Sequence, residues 1–315
     1  MEQITDCGGH PFPAYITGKV TYCAMEDGAA PEGSVYLLKL DVRGKKAVMP
    51  LAGQFYMLRA IKTGVLLARP ISVFHAEKTA HGVELQFLIL IKGQGTQELC
   101  ALEADDEVQL LGPLGNTFPP PAKNAKVCIA GGGIGVAPVA GFAETLADKS
   151  YDFFASFKSG TYGVENIHPA ALTVTTDDGS NGIHGMLPSA LTADTLRAGG
   201  YKAVYACGPA PMLAYVKQIS EEAGIQCWIS MESRMACGMG VCLGCTIHTK
   251  EGNKRCCKDG PVFDSRILEF PKPKAQPRRP PLSAEPDLSV TFKGVKFSNP
   301  VIGSSGTFGF GTEYA

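Results

Sequence analysis

Five of the chain's eleven cysteines, Cys237, Cys242, Cys245, Cys256 and Cys257, are crowded between positions 237 and 257. This crowding constrains the fold more than any other feature, because thiolates so placed can converge on one metal centre that their own loop must wrap. Cys237-x4-Cys242-x2-Cys245 has the spacing of the first three ligands of a plant-type two-iron two-sulfur centre. Gly238, Gly240 and Gly244 let the loop pass close to such a centre and aim its amides at the sulfides. A fourth thiolate is required; Cys256 and Cys257 both stand at a suitable distance along the chain, and only one can bind. A structural zinc site with four cysteine ligands is the alternative, although such sites usually pair two short knuckles and here the second half is an adjacent pair. The scattered cysteines 7, 23, 100, 128, 207 and 227 have the pattern of small buried hydrophobes.

The chain has 315 residues, enough for two domains and a small third module. With 45% hydrophobic and 19% charged residues it falls in the globular class rather than the disordered one. A formal net charge of −1 lacks the basic excess a nucleic-acid binder needs to displace counterions. The uncharged stretch from Val127 to Ala143 contains five glycines and Pro138, which argues against a membrane span. The opening MEQITDCGGHPF has neither a basic nor an apolar signal region, so a cytoplasmic location with reduced thiols is expected. The six histidines show no paired spacing, and they read as surface or satisfied core residues.

From Tyr15 to Leu111 six β-rich runs alternate with turn signals (ITGKVTYC, SVYLLKLDV, GQFYMLRA, ISVFHA, GVELQFLILI, DEVQLLG), which predicts a small antiparallel barrel or sandwich. The segment GPLGNTFPPPAKN ends this region, and its proline-rich tail reads as an interdomain linker. Beyond it strands and helices alternate, with APVAGFAETLADKS and PAPMLAYVKQISEEAG helical in period, the pattern of a parallel α/β sheet that binds ligands at the carboxyl ends of its strands. The expected organisation is multidomain: an antiparallel β-barrel over 11–119, an α/β parallel-sheet nucleotide-binding domain over 124–225, a small two-iron two-sulfur module over 226–270, a linker over 271–287, and a further segment over 288–315. PKPKAQPRRPP within that linker reads as solvated and extended.

The run GGGIGVAP, with Gly131, Gly132, Gly133 and Gly135, follows a strand and opens a helix, a context that offers backbone amides to a pyrophosphate. Val136 occupies the last position of the dinucleotide fingerprint, where glycine or alanine is usual. Cys207, Gly208 and Pro209 end a later strand of the same sheet and face the same crevice. In the barrel, Arg69, Pro70, Ile71 and Ser72 place a cation and a hydroxyl on one short strand, a division of labour suited to a flavin nucleotide's phosphate and ring nitrogen. Gly95 and Thr96, in GQGT, add backbone amides.

In this order RPIS, GQGT, GPLGN, GGGIGVAP, CGP and MESRMACGMGVCLGC…CCKDGPVF resemble the ferredoxin-reductase superfamily and, more closely, the electron-transfer subunits of the class 1B dihydroorotate dehydrogenases. The resemblance covers about residues 15–268. It implies FAD lying across Arg69–Ser72, Leu88, Ile89, Leu90, Gly95 and Thr96, with NAD(H) over the glycine run and Cys207 near the nicotinamide. It implies Cys257 as fourth cluster ligand, since one residue separates it from DGPVF, and leaves Cys256 as an extra thiol. Ser72, near flavin N5, and Cys207 are the residues with a chemical role. Ile71 stands where the superfamily commonly has an aromatic. Lys158 and Ser159, after the second strand, could meet a 2′-phosphate, which keeps NADPH open beside NADH.

The implied activity is a relay in pyrimidine (UMP) biosynthesis from dihydroorotate, through FMN held only by a catalytic partner, then the cluster and FAD, to NAD+. The implied assembly is a heterotetramer of two subunits of each kind, with no nucleic acid and no membrane. Residues 288–315 resemble the start of the FMN-binding TIM barrel of that partner, with Ser305, Gly306 and Thr307 placed as its FMN contacts, as in a truncated fusion. Three other readings remain: a related subunit with a glutamate-synthase-like partner, a lone ferredoxin or oxygen reductase, and a zinc-bearing, non-redox nucleotide-binding regulator.

Overall fold

The computed structural model describes residues 15–25, 33–44, 47–61, 65–270, 289–292 and 294–297. The chain divides into two compact units, 1–270 and 271–315. The first unit opens with seven antiparallel strands, β1 (Tyr15–Met25), β2 (Val35–Arg43), β3 (Phe55–Ala60), β4 (Arg69–Ser72), β5 (His75–Lys78), β6 (Gly82–Leu90) and β7 (Glu107–Leu114), with helix α1 (Gln94–Cys100) between the last two. Their order in the sheet is β4-β3-β7-β1-β2-β6-β5.

The two edge strands, β4 and β5, are joined by only Val73 and Phe74, so their facing ends can lie no further apart than about 11 Å. The sheet must therefore curl until its edges meet. The link itself closes the barrel: Val73 N donates to Gln54 O at 3.1 Å, and Phe74 N donates to Gln86 O, on β6, at 2.9 Å. The expected single run ISVFHA is thus two strands, bent where the barrel closes. Period-two patterning fills the interior: Leu38 and Leu40 of β2 and Leu85, Phe87 and Ile89 of β6 are almost fully buried within one cluster. Burying each such side chain stabilises the barrel by about 1.5–3 kcal/mol. Leu88, of opposite parity on β6, packs instead with the second domain's core.

That second domain contains β8 (Val127–Gly132), α2 (Val136–Ala143), β9 (Tyr151–Phe157), β10 (Ala171–Thr176), β11 (Ile183–His184), α3 (Ala193–Ala198), β12 (Ala203–Cys207), α4 (Ala210–Ala223) and β13 (Gln226–Ser230). Strands β14 (Thr246–Thr249) and β15 (Gly252–Arg255) form a separate hairpin, and β16 (Val262–Asp264) returns to the main sheet. The sheet order is β11-β10-β9-β8-β12-β13-β16, parallel except for β16, so the strand order reverses between β8 and β12. A crevice at that reversal is where such sheets bind ligands.

Two expectations change here. Gln226–Ser230 pairs in parallel with β12 and belongs to the α/β sheet, so the cysteine-bearing segment begins after residue 230 rather than at 226. It is an excursion between the last two strands of that sheet. The apolar residues of β13 serve the sheet, with Ile229 fully buried and Cys227 nearly so. The helix expected over APVAGFAETLADKS stops at Ala143, because the Thr145 hydroxyl donates back to Phe142 O at 2.7 Å and Ser150 to Ala147 O at 2.6 Å, turns that compete with helix continuation.

In the second unit the described residues form one hairpin, β17 (Val290–Phe292) with β18 (Val295–Phe297). This hairpin is not a TIM-barrel framework. The linker 271–287 and Ser305, Gly306 and Thr307 lie outside the described residues. No helix among the described residues is long and apolar enough to cross a membrane.

Candidate functional site

A cavity of about 430 Å³ lies at the junction of barrel, α/β sheet and cysteine segment. The barrel contributes Phe55, the whole strand Arg69–Ser72, Leu88 and Leu90, together with Lys92, Gly93, Gln94 and Thr96 at the entry to α1. The turn after β8 contributes Ile134 and the first turn of α2 Ala137, while the end of β13 and the stretch after it contribute Ser230, Met231, Glu232, Ser233 and Met235, with Pro261 opposite.

Most of the residues expected at a flavin are thus brought together. Ile89 and Gly95 are the exceptions: the parity of Ile89 on β6 sends its side chain into the barrel core, where it is fully buried, so Leu88 and Leu90 form the wall and Ile89 can offer only backbone. Gly95 is buried beneath Arg69; a Cβ at this position would lie 2.6 Å from both Cζ and Nη2 of the guanidinium. The guanidinium is held from the other side by donation from Nη1 to Leu67 O at 2.8 Å. Thr96 faces the cavity, but its hydroxyl accepts from Lys92 N at 3.0 Å and donates to Gly93 O at 2.8 Å, so it shapes the start of α1.

At the α/β edge, Gly131, Cys207 and Ser230 stand in register across the carboxyl ends of β8, β12 and β13. Gly133 and Gly135 sit in a single 3-10 turn leading into α2, and Gly135 packs on Gly208, whose Cα is 2.6 Å from where a Cβ would lie. Gly132 is closed over by Met212, near Pro209. The glycines therefore let two strand-end loops touch, while Ile134 between them reaches the cavity. Cys207 is buried and does not line that cavity: Ser230 stands in front and hydrogen-bonds its sulfur. Burial pushes the Cys207 thiol far above the ordinary range, so it is a neutral thiol at any physiological pH.

Met231 begins the path from this cavity to the cysteines. Cys237 is half-buried. Burial disfavours its thiolate, but amides of Cys242, Met239 and Val241, together with the Cys242 side chain, outweigh that and bring its pKa down to about 7. Amides aimed at one sulfur are what a cluster-binding loop provides. Cys245 Sγ and Cys257 Sγ lie 3.2 Å apart, while Cys256 Sγ turns away and donates to Met231 O at 3.0 Å. Among the two adjacent thiols only Cys257 faces the other candidate ligands. Burial, followed by the hydrogen bond and charge of Cys245, raises the Cys257 pKa to about 12.

Local geometry holds this loop. Gly238 has φ +70°, and a Cβ there would meet Met57 Cγ at 2.6 Å and Leu114 Cδ1 at 2.9 Å, so the loop lies directly on barrel strands β3 and β7. Arg255 grips Asp259 with Nε and Nη2, each at 3.1 Å, and reaches Gly240 O at 3.4 Å, bracketing the turn that carries Cys256 and Cys257. The Asn116 side chain binds both Val262 N, at 2.9 Å, and Val262 O, at 2.8 Å, tying the barrel's end to β16. His248 is exposed on β14, away from the role of ligand. The four thiols 237, 242, 245 and 257, with amides already turned toward sulfur, fit a two-iron two-sulfur cluster, and the apolar cavity with Arg69 at its edge fits a flavin nucleotide.

Residues expected from sequence did not include Phe55, Lys92, Ile134, Ala137 or the stretch Ser230–Met235. The signal for the last was available: β13 is a strand of the parallel sheet, and its carboxyl end must open on the same crevice as those of β8 and β12.

Residues 232–269 match the family model for the iron-sulfur cluster binding domain of dihydroorotate dehydrogenase B. The chain is 40% identical over 247 residues to the dihydroorotate dehydrogenase B (NAD+) electron transfer subunit of Clostridium acetobutylicum, covering 78% of this chain and 95% of that protein. It is 37% identical to the subunit of the same name from Clostridium perfringens, over 70% of this chain and 87% of that one. Among solved structures, the NADH-dependent reduced ferredoxin-NADP oxidoreductase studied for flavin-based electron bifurcation aligns with a TM-score of 0.65 at 22% identity, over 80% of this chain and 90% of that chain, a likeness of fold.

Proposed function

The chain belongs to the electron transfer subunits of dihydroorotate dehydrogenase B (NAD+), and on that premise we propose that its central cavity seats FAD between an NAD(H) site and a two-iron two-sulfur cluster. It is an oxidoreductase component that carries electrons from a dihydroorotate-oxidising, FMN-containing catalytic partner to NAD+, a step of pyrimidine biosynthesis. We place that assembly, with two copies of each subunit, in the cytoplasm.

The observation that carries this reading is the shared wall of the cavity. Strand β4, the loop after β8 and the stretch leading to the cysteines all border one space, so groups held by the three segments meet there. When bound, the cluster exchanges electrons singly, FAD singly or in pairs, and NAD+ accepts two, which makes FAD the converter. The residues of this chain bind and orient. Arg69 is the cation for the flavin pyrophosphate, and Leu88 and Leu90 form an apolar wall for the flavin. Ser72 offers a hydroxyl toward the ring edge.

Gly131, Gly132, Gly133, Gly135, Gly208 and Pro209 bring the loops after β8 and β12 close enough for a dinucleotide to lie across them. Cys207, neutral and behind Ser230, sets that hydroxyl's orientation. Cys237, Cys242, Cys245 and Cys257 are the cluster ligands. Anaerobic titration of the purified chain with NADH, followed by absorption and low-temperature electron paramagnetic resonance, tests the reading. Flavin bleaching together with a reduced two-iron two-sulfur signal is expected. A colourless protein containing zinc would overturn it in favour of a non-redox regulator.

A further inference from the structure

An iron-sulfur cluster passes electrons without protons, whereas NAD+ takes up a hydride, which is a proton together with two electrons. In the relay proposed above one proton must therefore enter at the flavin ring in every turnover, and in the reverse direction one must leave. A hydroxyl can pass such a proton on, but only a group that titrates can hold it.

Among the described residues that line the cavity, Glu232 is the one carboxyl. The other charged lining residues, Arg69 and Lys92, are cations, and Ser72 and Ser230 offer only hydroxyls. Glu232 stands just past β13, on the stretch that leads from the sheet to the cysteines. Groups on three other elements locate it. Burial raises its pKa above the ordinary carboxyl value, and Lys92, just past β6, pulls it back. Burial is also the main cause holding the Cys207 and Cys256 thiols neutral, and the charge of Glu232 adds to it in both. The carboxyl thus lies within electrostatic reach of the barrel wall, of the end of β12 and of the turn that carries the last cysteines. Its side chain nevertheless keeps exposed surface, through which a proton can be exchanged with water.

Resting on the function proposed above, we propose that Glu232 is the proton-exchanging residue of the flavin site: its acid form gives a proton to flavin N5 as two electrons arrive singly from the cluster, and its carboxylate takes the next proton from water. The Glu232 O–H bond breaks and an N5–H bond forms, so the flavin gains two electrons and one proton. Hydride transfer from N5 then turns NAD+ into NADH and leaves the flavin oxidised again. With NADH as the donor the steps run backwards, and the Glu232 carboxylate takes the proton left at N5 once both electrons have departed.

The test compares two reductants of the anaerobic holoprotein in stopped flow. Dithionite supplies electrons alone, so flavin bleaching must draw a proton from the protein; NADH supplies hydride and brings its own. Dithionite is raised until the rate no longer depends on its concentration. Positioned general acids contribute about 10²–10⁴-fold, and water replaces part of that, so Glu232→Gln is expected to slow bleaching by dithionite at least about tenfold more than bleaching by NADH. Glu232→Asp, which keeps a carboxyl, is expected to recover part of the difference. A readout independent of turnover is the visible spectrum of the oxidised flavin. In the wild type it should shift as Glu232 ionises, at a pH above the ordinary glutamate value of about 4.3, and in Glu232→Gln this titration should be missing. Equal slowing with both reductants, or no slowing with either, at full FAD occupancy would overturn the proposal. So would the same spectral titration in both proteins, or loss of FAD from both variants, which would make Glu232 a binding residue. A wild type whose flavin does not bleach with NADH would instead refute the function on which the proposal rests.

Discussion

Gly95 lies beneath Arg69, and replacing it with alanine separates flavin binding from folding. The added Cβ would lie 2.6 Å from the guanidinium Cζ and Nη2, a distance no carbon sustains, so something must move. What moves is the far end of a flexible side chain, so the barrel loses little. Alanine within α1 is moreover about 1 kcal/mol more favourable than glycine by helix propensity. The cost falls on whatever Arg69 binds. A charge-assisted hydrogen bond contributes about 1.5–3 kcal/mol, so displacing Arg69 from the flavin pyrophosphate should weaken FAD binding by about 10- to 150-fold.

Arg69→Ala should weaken binding by a similar factor, but by a different route, through loss of the cation. The double variant decides between mechanisms: with no guanidinium to displace, Gly95→Ala should cost almost nothing further, giving a coupling energy nearly equal to either single effect. FAD affinity is read from flavin fluorescence quenching on reconstitution of the apoprotein, with the melting temperature of each apoprotein as the control for folding. If Gly95→Ala weakens FAD as much in the Arg69→Ala background as in the wild type, then Gly95 acts through its own backbone and the argument from Arg69 is wrong.

Other outcomes follow from the same geometry. Cys242→Ser and Cys257→Ser should each abolish the two-iron two-sulfur signal while leaving FAD bound, as seen by visible absorption and iron analysis; retention of the cluster in Cys257→Ser together with its loss in Cys256→Ser would reverse the choice of fourth ligand. Asn116→Ala removes both partners of Val262's backbone groups and should destabilise the chain by about 1–3 kcal/mol in denaturant unfolding. His75 Nδ1, on β5, lies 2.5 Å from Glu144 Oε2, just past α2, and this hydrogen bond is the main cause raising the His75 pKa. A raised folded pKa stabilises fully below the unfolded value of about 6.5 and loses that contribution as pH rises through the folded value. The melting temperature should therefore fall as pH increases above that value, and Glu144→Gln should flatten this part of the profile.

Features carried by local pattern could be read from the sequence, while those set by contacts between distant segments could not. Period-two runs identified the barrel strands because one face of each is buried, and strand–helix alternation identified the parallel sheet. The bend at Val73–Phe74 was not visible, since it is imposed by closure of β3 and β6 around it and not by any residue in ISVFHA. Sequence spacing placed Cys256 and Cys257 equally well. The turn gripped by Arg255 and Asp259 separates them, sending one sulfur toward Cys245 and the other toward Met231. Gln226–Ser230 was misplaced for a related reason: nearness in sequence to the cysteines suggested one module, whereas hydrogen bonding to β12 makes it the last parallel strand of the nucleotide-binding sheet. That pairing has a functional consequence. Because the cysteine segment leaves from the carboxyl end of β13, in register with the ends of β8 and β12, the sheet that presents a dinucleotide also fixes the first residue on the path to the cluster. A chain with the same cysteines spliced after a free linker would keep the ligand spacing and lose the shared cavity wall.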